Sequence, residues 1–206
     1  LCNKHNIVLI FDECTSGFRE TFGGLHSKFK VYPDMAMFGK ALGNGYAITA
    51  ILGKRDVMEA AQSSFISSTF WTERIGPTAG LETLSEMEKI RSWEIITHNG
   101  KYLQDELNKL SSGYKLDLNI SGIPALTTFN FKDGNLIKKS YITQEMLKRG
   151  YLATTAVYLS VLHTKEVLDR YLSEINDIFY EISLNGEEEL SNKLDGPVCH
   201  GGFERL

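Results

Sequence analysis

Five apolar residues, Ile7–Phe11, run straight into two acids, Asp12 and Glu13, in "NIVLIFDECTSGFRETFGG". No other feature restricts the fold as strongly. A continuous, mostly β-branched run of this length suits a strand buried on both faces, as in a parallel sheet covered by helices. Such a run should not end on two carboxylates unless they serve a purpose. The carboxyl ends of strands in open α/β sheets are where ligands bind. The chain opens at Leu1, almost directly on this strand, and buried strands need neighbours on both sides. The sequence therefore reads as one that starts inside a domain.

The texture that follows is that of an α/β protein. "PDMAMFG" gives a second strand, "GKALGNG" a glycine-rich turn and "YAITAILG" a third strand. "KRDVMEAAQ" reads as a short helix and "SSFISSTFWTERIG" as a polar and aromatic loop. Pro77 suits the first turn of the next helix, which carries Ala79, Leu84, Met87 and Ile90 on roughly one face. A further helix runs through Trp93 and Tyr102 to about Leu110. Beyond "SSGYKLDLN" the pattern changes. "KLDLNI" and "ALTTFNF" look like antiparallel strands around Gly122–Pro124, and "LIKKSYITQEMLKRG" is helical up to a C-cap at Gly150. "YLATTAVYLSVL" is strand-like. From an N-cap at Thr164, apolar residues from Val167 to Ile182 recur at helical spacing. The boundary falls near Arg91–Gly100. Residues 1–95 are expected to form part of an α/β domain with a mostly parallel sheet, and residues 96–206 a small α+β domain.

The bulk properties remove several classes of function. A net charge of −4 provides no basic field for nucleic acid or an anionic membrane. No apolar run is long enough to span a bilayer. Cys2, Cys14 and Cys199 have neither metal nor disulfide spacing, and the five histidines are scattered, so no metal is expected. The cysteines favour a reducing compartment, and the expected location is the cytoplasm.

Two residues carry candidate chemistry. Lys40 lies between a strand end and a turn where glycines allow close backbone approach. It is either a solvated lysine beside a turn or a Schiff-base lysine. Asp12 is either a cap or loop carboxylate, or it faces a ligand. A pyridoxal phosphate (PLP) site needs both groups, because the lysine forms an imine with the cofactor aldehyde while a carboxylate keeps the pyridine nitrogen protonated.

The segments "LIFDECTSGFRETFGG", "YPDMAMFGKALGNGYAITAILGKRDVME" and "STFWTERIGPTAGLETL" resemble the class III (fold-type I) PLP-dependent aminotransferases. "GFR" followed by "GG" is the form seen in the glutamate-1-semialdehyde 2,1-aminomutase branch. "LHTKEVLDRYLSEINDIF" is similar to the family's closing helix. The resemblance implies that residues 1–95 are the C-terminal part of the PLP-binding large domain. It implies Asp12 on the pyridine nitrogen and Lys40 as the imine-forming lysine and proton shuttle. Thr69 would bind the phosphate of the partner subunit's cofactor, which implies a homodimer with the site at the subunit interface. Ser68 would either add a donor there or be a structural loop serine. Cys14 stands where valine usually packs against the ring. Glu13 would brace the loop, and Arg19 would anchor it through an ion pair. "WTER", Trp71–Arg74, replaces the usual "SGNP" beside the substrate entrance, which leaves room for another amino donor or acceptor.

The family's main phosphate cradle, its ring-stacking aromatic and its usual carboxylate-binding residues have no counterpart in this sequence. The implied function is amino-group transfer on a small amino, keto or aldehyde substrate. The alternative is a non-catalytic fragment that keeps only the dimer and small-domain surface.

Overall fold

The computed structural model describes residues 1–70 and 72–202. Two compact units divide the chain, Leu1–Ile95 and Ile96–Leu206.

The first unit contains, in chain order, α1 (Cys2–His5), β1 (Ile10–Asp12), α2 (His26–Phe29), β2 (Met35–Phe38), a 3-10 turn at Lys40–Leu42, β3 (Ala50–Gly53), α3 (Arg55–Met58) and α4 (Ile75–Ile90). Its sheet has the order β1-β2-β3. β1 pairs with β2 in parallel, with Ile10 opposite Met35 and Asp12 opposite Met37. β3 joins β2 antiparallel, with Phe38 opposite Ala50. Asp34 ties the sheet together from just before β2. Its carboxylate accepts the Leu9 N–H at 2.8 Å and the Lys54 ammonium at 2.7 Å.

The "GKALGNG" turn reverses the chain between β2 and β3. A Cβ at Gly43 would lie 2.1 Å from the Tyr46 carbonyl oxygen, so only glycine permits this closure. The side chain of Glu73 closes the N-terminus of α4, accepting the Gly76 N–H at 2.9 Å. Pro77 falls within the first turn of this helix, as expected. The buried residues of α4 are Gly76 and Gly80, and a Cβ at Gly76 would meet the Ala47 carbonyl oxygen at 2.6 Å. The missing side chains let the helix lie directly on the segment entering β3.

The first strand differs from its sequence reading. It is shorter than Ile7–Phe11 and is not buried on both faces, since Ile7, Val8 and Ile10 are 56%, 48% and 50% exposed. β1 is an edge strand with β2 as its partner, so one flank and much of the apolar run lie open within this unit. The buried core here is small. It consists of Ala36, Phe38 and Leu42, with Phe18, Ile48, Ala50 and Leu84 packed around them.

The second unit is entered through α5 (Ser92–Gly113). It continues with β4 (Leu118–Ser121), β5 (Leu126–Phe131), α6 (Asn135–Lys148), β6 (Ala156–Tyr158), α7 (Lys165–Leu184) and α8 (Glu187–Asn192). All pairings in its β4-β5-β6 sheet are antiparallel. Alternation on β5 buries Thr127, Phe129 and Phe131. The stripe on α7 buries Leu168, Tyr171, Leu172, Ile175, Ile178, Phe179 and Ile182. The two patterns meet at Phe179, whose ring packs edge-on to Phe129 and Phe131 with centroids 6.0 and 5.9 Å away. Gly150, at φ +84°, ends α6 and lets the Tyr151 N–H return to the Met146 carbonyl at 2.9 Å.

Phe179 is fully buried at the centre of this core. Phe179→Ala is expected to destabilise the chain by about 3–5 kcal/mol, measured by urea unfolding. A loss below about 1 kcal/mol would show that the site collapses without leaving a cavity.

Candidate active site

Consecutive residues of an extended strand point to opposite faces. At the end of β1 this sends the two acids into different surroundings. Asp12 is exposed, while Glu13 is 4% exposed. The Glu13 N–H donates to the Met37 carbonyl at 2.9 Å, which extends the β1–β2 register by one bond.

A buried carboxylate needs donors, and Glu13 has four. The N–H groups of Leu25 and His26 reach it at 3.0 and 2.9 Å, the imidazole Nδ1 of His26 lies 3.0 Å away, and the Ser16 hydroxyl donates to it. Burial pushes the Glu13 carboxyl up, but the bonds from Ser16, His26 and Leu25 outweigh it and hold the group below its ordinary value. Glu13 thus fastens both ends of the Cys14–Gly24 loop. Arg19 Nε donates to the Thr15 carbonyl at 2.7 Å, so Arg19 anchors the same loop through the main chain.

Asp12 Oδ1 accepts the Cys14 N–H at 3.0 Å. The Cys14 backbone and thiol, with help from the charge of Lys40, keep the Asp12 carboxyl below the usual range, so it is anionic at neutral pH. The hydrogen bond to Asp12 raises the Cys14 thiol, which favours its protonated form.

Lys40 follows β2, three positions beyond the partner of Asp12, and opens the 3-10 turn. Its backbone is left-handed, at φ +44°, unusual for a residue with a Cβ. Its side chain is exposed, and its Nζ donates to the hydroxyl of Thr15. The structure therefore gathers Asp12, Cys14, Thr15 and Lys40 at the ends of two parallel strands. Ser68 and Thr69 are on an exposed loop where Ser68 Oγ accepts the Phe70 N–H at 3.2 Å. Trp71, the first residue of "WTER", lies outside the described residues.

Sequence reasoning missed Thr15 as a neighbour of Lys40, and His26, Leu25 and Ser16 as partners of Glu13. The signal available was the Glu at a strand end followed by a short glycine-bounded loop.

The family Aminotransferase class-III matches residues 1–179. The 3-aminobutyryl-CoA aminotransferase of Cloacimonas acidaminovorans is 32% identical over 189 residues, covering 85% of this chain and 46% of that protein. The glutamate-1-semialdehyde 2,1-aminomutase of Methanocaldococcus jannaschii is 28% identical, covering 87% of this chain and 46% of the relative. The chain thus spans about half the length of the curated relatives it matches. Among solved structures, the FumI protein of Sphingopyxis sp. MTA144, in its PLP internal aldimine form, superposes with a TM-score of 0.81 at 23% identity, covering 92% of this chain and 48% of that one. The likeness to FumI is one of fold.

Because Glu13 titrates below its ordinary value when folded, its stabilisation is complete above the ordinary carboxylate range. It is lost as pH falls through the depressed folded value. The thermal midpoint should therefore fall as pH drops below about 4.5, and Glu13→Gln should flatten part of that fall. Parallel pH profiles for the two proteins would remove Glu13 from this role.

Proposed function

The chain belongs to the class III aminotransferases, and from that premise we propose that it carries the lysine and carboxylate half of a PLP-dependent amino-group transfer site. The observation that carries this reading is the juxtaposition of an anionic Asp12 and an exposed Lys40 at the ends of β1 and β2. The donor set fits the cofactor, with a permanent anion for a protonated ring nitrogen, an amine for an aldehyde, and a small protonated thiol that can pack on a ring face.

When bound, PLP supplies a carbonyl that accepts the amino group and a protonated ring that withdraws electrons. Asp12 holds the proton on the ring nitrogen by remaining charged. Lys40 would hold the cofactor by its aldehyde, and its Nζ would be the base that moves a proton at the substrate α-carbon. Cys14 fixes the direction of Asp12 through its N–H. Ser68 and Thr69, on their exposed loop, are assigned to the phosphate of a partner subunit's cofactor, in a cytoplasmic homodimer. The three free cysteines suit that compartment. The substrate is a small amine with a keto or aldehyde acceptor, joined in one molecule for a mutase or divided between two for a transferase.

A second reading, in which this chain performs no chemistry alone, draws on the open apolar edge of β1. One experiment tests both, run on this chain alone and on a full polypeptide that extends it to the length of its relatives. In the full polypeptide, borohydride after PLP should fix one cofactor on Lys40. Lys40→Ala should remove that adduct and lower amino transfer on the order of a thousandfold. A normal adduct in Lys40→Ala would overturn the assignment, and the absence of any adduct in the parent would favour the non-catalytic reading.

A further inference from the structure

We propose that Thr15 is a positioning residue for Lys40, its hydroxyl holding the amine beside Asp12 without letting the two charges close into an ion pair. This inference rests on the role of Lys40 proposed above.

Both partners of the contact are fixed. Thr15 lies on the turn that follows β1. Its carbonyl takes the Arg19 Nε at 2.7 Å, and the preceding Glu13 carbonyl takes the Gly17 N–H at 2.8 Å. Gly17 seats the turn on Phe38, since a Cβ at that position would lie 2.8 Å from the ring. Glu13 pins the far end of the loop through Leu25 and His26. Lys40 is fixed at its base by the 3-10 turn, where Leu42 is buried and the Gly43 N–H returns to the Lys40 carbonyl at 3.2 Å. Four rotatable bonds remain between that base and the amine, and an unheld lysine samples many positions.

The competing partner is Asp12. The carboxylate is within electrostatic range of Lys40, yet the amine donates to Thr15. A closed Lys40–Asp12 pair would commit both groups to each other, whereas the proposed chemistry needs them at opposite ends of one ring. A neutral hydroxyl acceptor holds the amine without discharging the carboxylate. The Thr15 carbonyl is used elsewhere, and its side-chain oxygen is the part of the residue that faces Lys40.

The test is the rate at which Lys40 condenses with an aldehyde, trapped by borohydride and located by peptide mass spectrometry in the full polypeptide. The probes are PLP and pyridoxal, which lacks the phosphate. Thr15→Val should slow trapping at Lys40 by about tenfold with both probes, because orientation and not phosphate binding is lost. Thr15→Ser, which keeps the hydroxyl, should stay within about twofold of the parent. Thr15→Ala repeats the test without the branched methyl, should Thr15→Val fold poorly. Parental rates in Thr15→Val or Thr15→Ala would overturn the role of Thr15 and leave that of Lys40 intact. Thr15→Ser as slow as Thr15→Val would also overturn it, by showing that shape and not the hydroxyl matters. An adduct on a lysine other than Lys40 in the parent would overturn the functional reading and this inference with it.

Discussion

A carboxylate withdrawn from water must be met by donors, and the arrangement of the site depends on how Glu13 meets that requirement. Strand alternation sends Asp12 outward and Glu13 inward from adjacent positions. Because Glu13 is buried, the chain must return to it, and it does so with Leu25 and His26, twelve and thirteen residues later. That return closes a loop whose near end carries Cys14 and Thr15, the residues that touch Asp12 and Lys40. The acid that performs no chemistry in the proposed mechanism therefore holds the loop around the acid that does. Removing it would leave Leu25, His26 and Ser16 without their shared acceptor and would free the loop that positions Thr15.

The parallel pairing of β1 with β2 provides the second constraint. In a parallel pair both strands end on the same side of the sheet. Asp12 and the segment leading to Lys40 are thus brought to one edge despite being 28 positions apart in the sequence. The glycine turn after Lys40 then reverses the chain into β3, which leaves the amine at an exposed corner and not inside the sheet. The contrast between the two units fits this arrangement. The second unit buries a continuous aromatic and aliphatic core around Phe129, Phe131 and Phe179, while the first buries little and presents its polar groups at strand ends.

Much of this was legible in the sequence, and where it was not the physical reason is clear. The stripe on α7, the alternation on β5 and the stop at Gly150 depend on local periodicity and backbone preference, which neighbouring residues determine. Asp12 and Lys40 were placed at strand ends by the turn residues beside them, while their pairing around one cofactor came from the family resemblance and is a proposal. The exposure of Ile7, Val8 and Ile10 was not readable, since an apolar run specifies that a strand can be buried and not what covers it. Thr15 was hidden for another reason. Its importance comes from contact with a residue 25 positions away, and a threonine in a loop has no periodicity to reveal it. The partners of Glu13 were hidden in the same way, although the brace itself was expected.

We propose that Asp12 and Lys40 address the two ends of one cofactor ring, and a structure of the full polypeptide crystallised with PLP tests it. The ring nitrogen is expected within hydrogen-bond distance of the Asp12 carboxylate, and the aldehyde carbon bonded to Lys40 Nζ. A ring bound with its nitrogen turned away from Asp12, or held by another lysine, would contradict it.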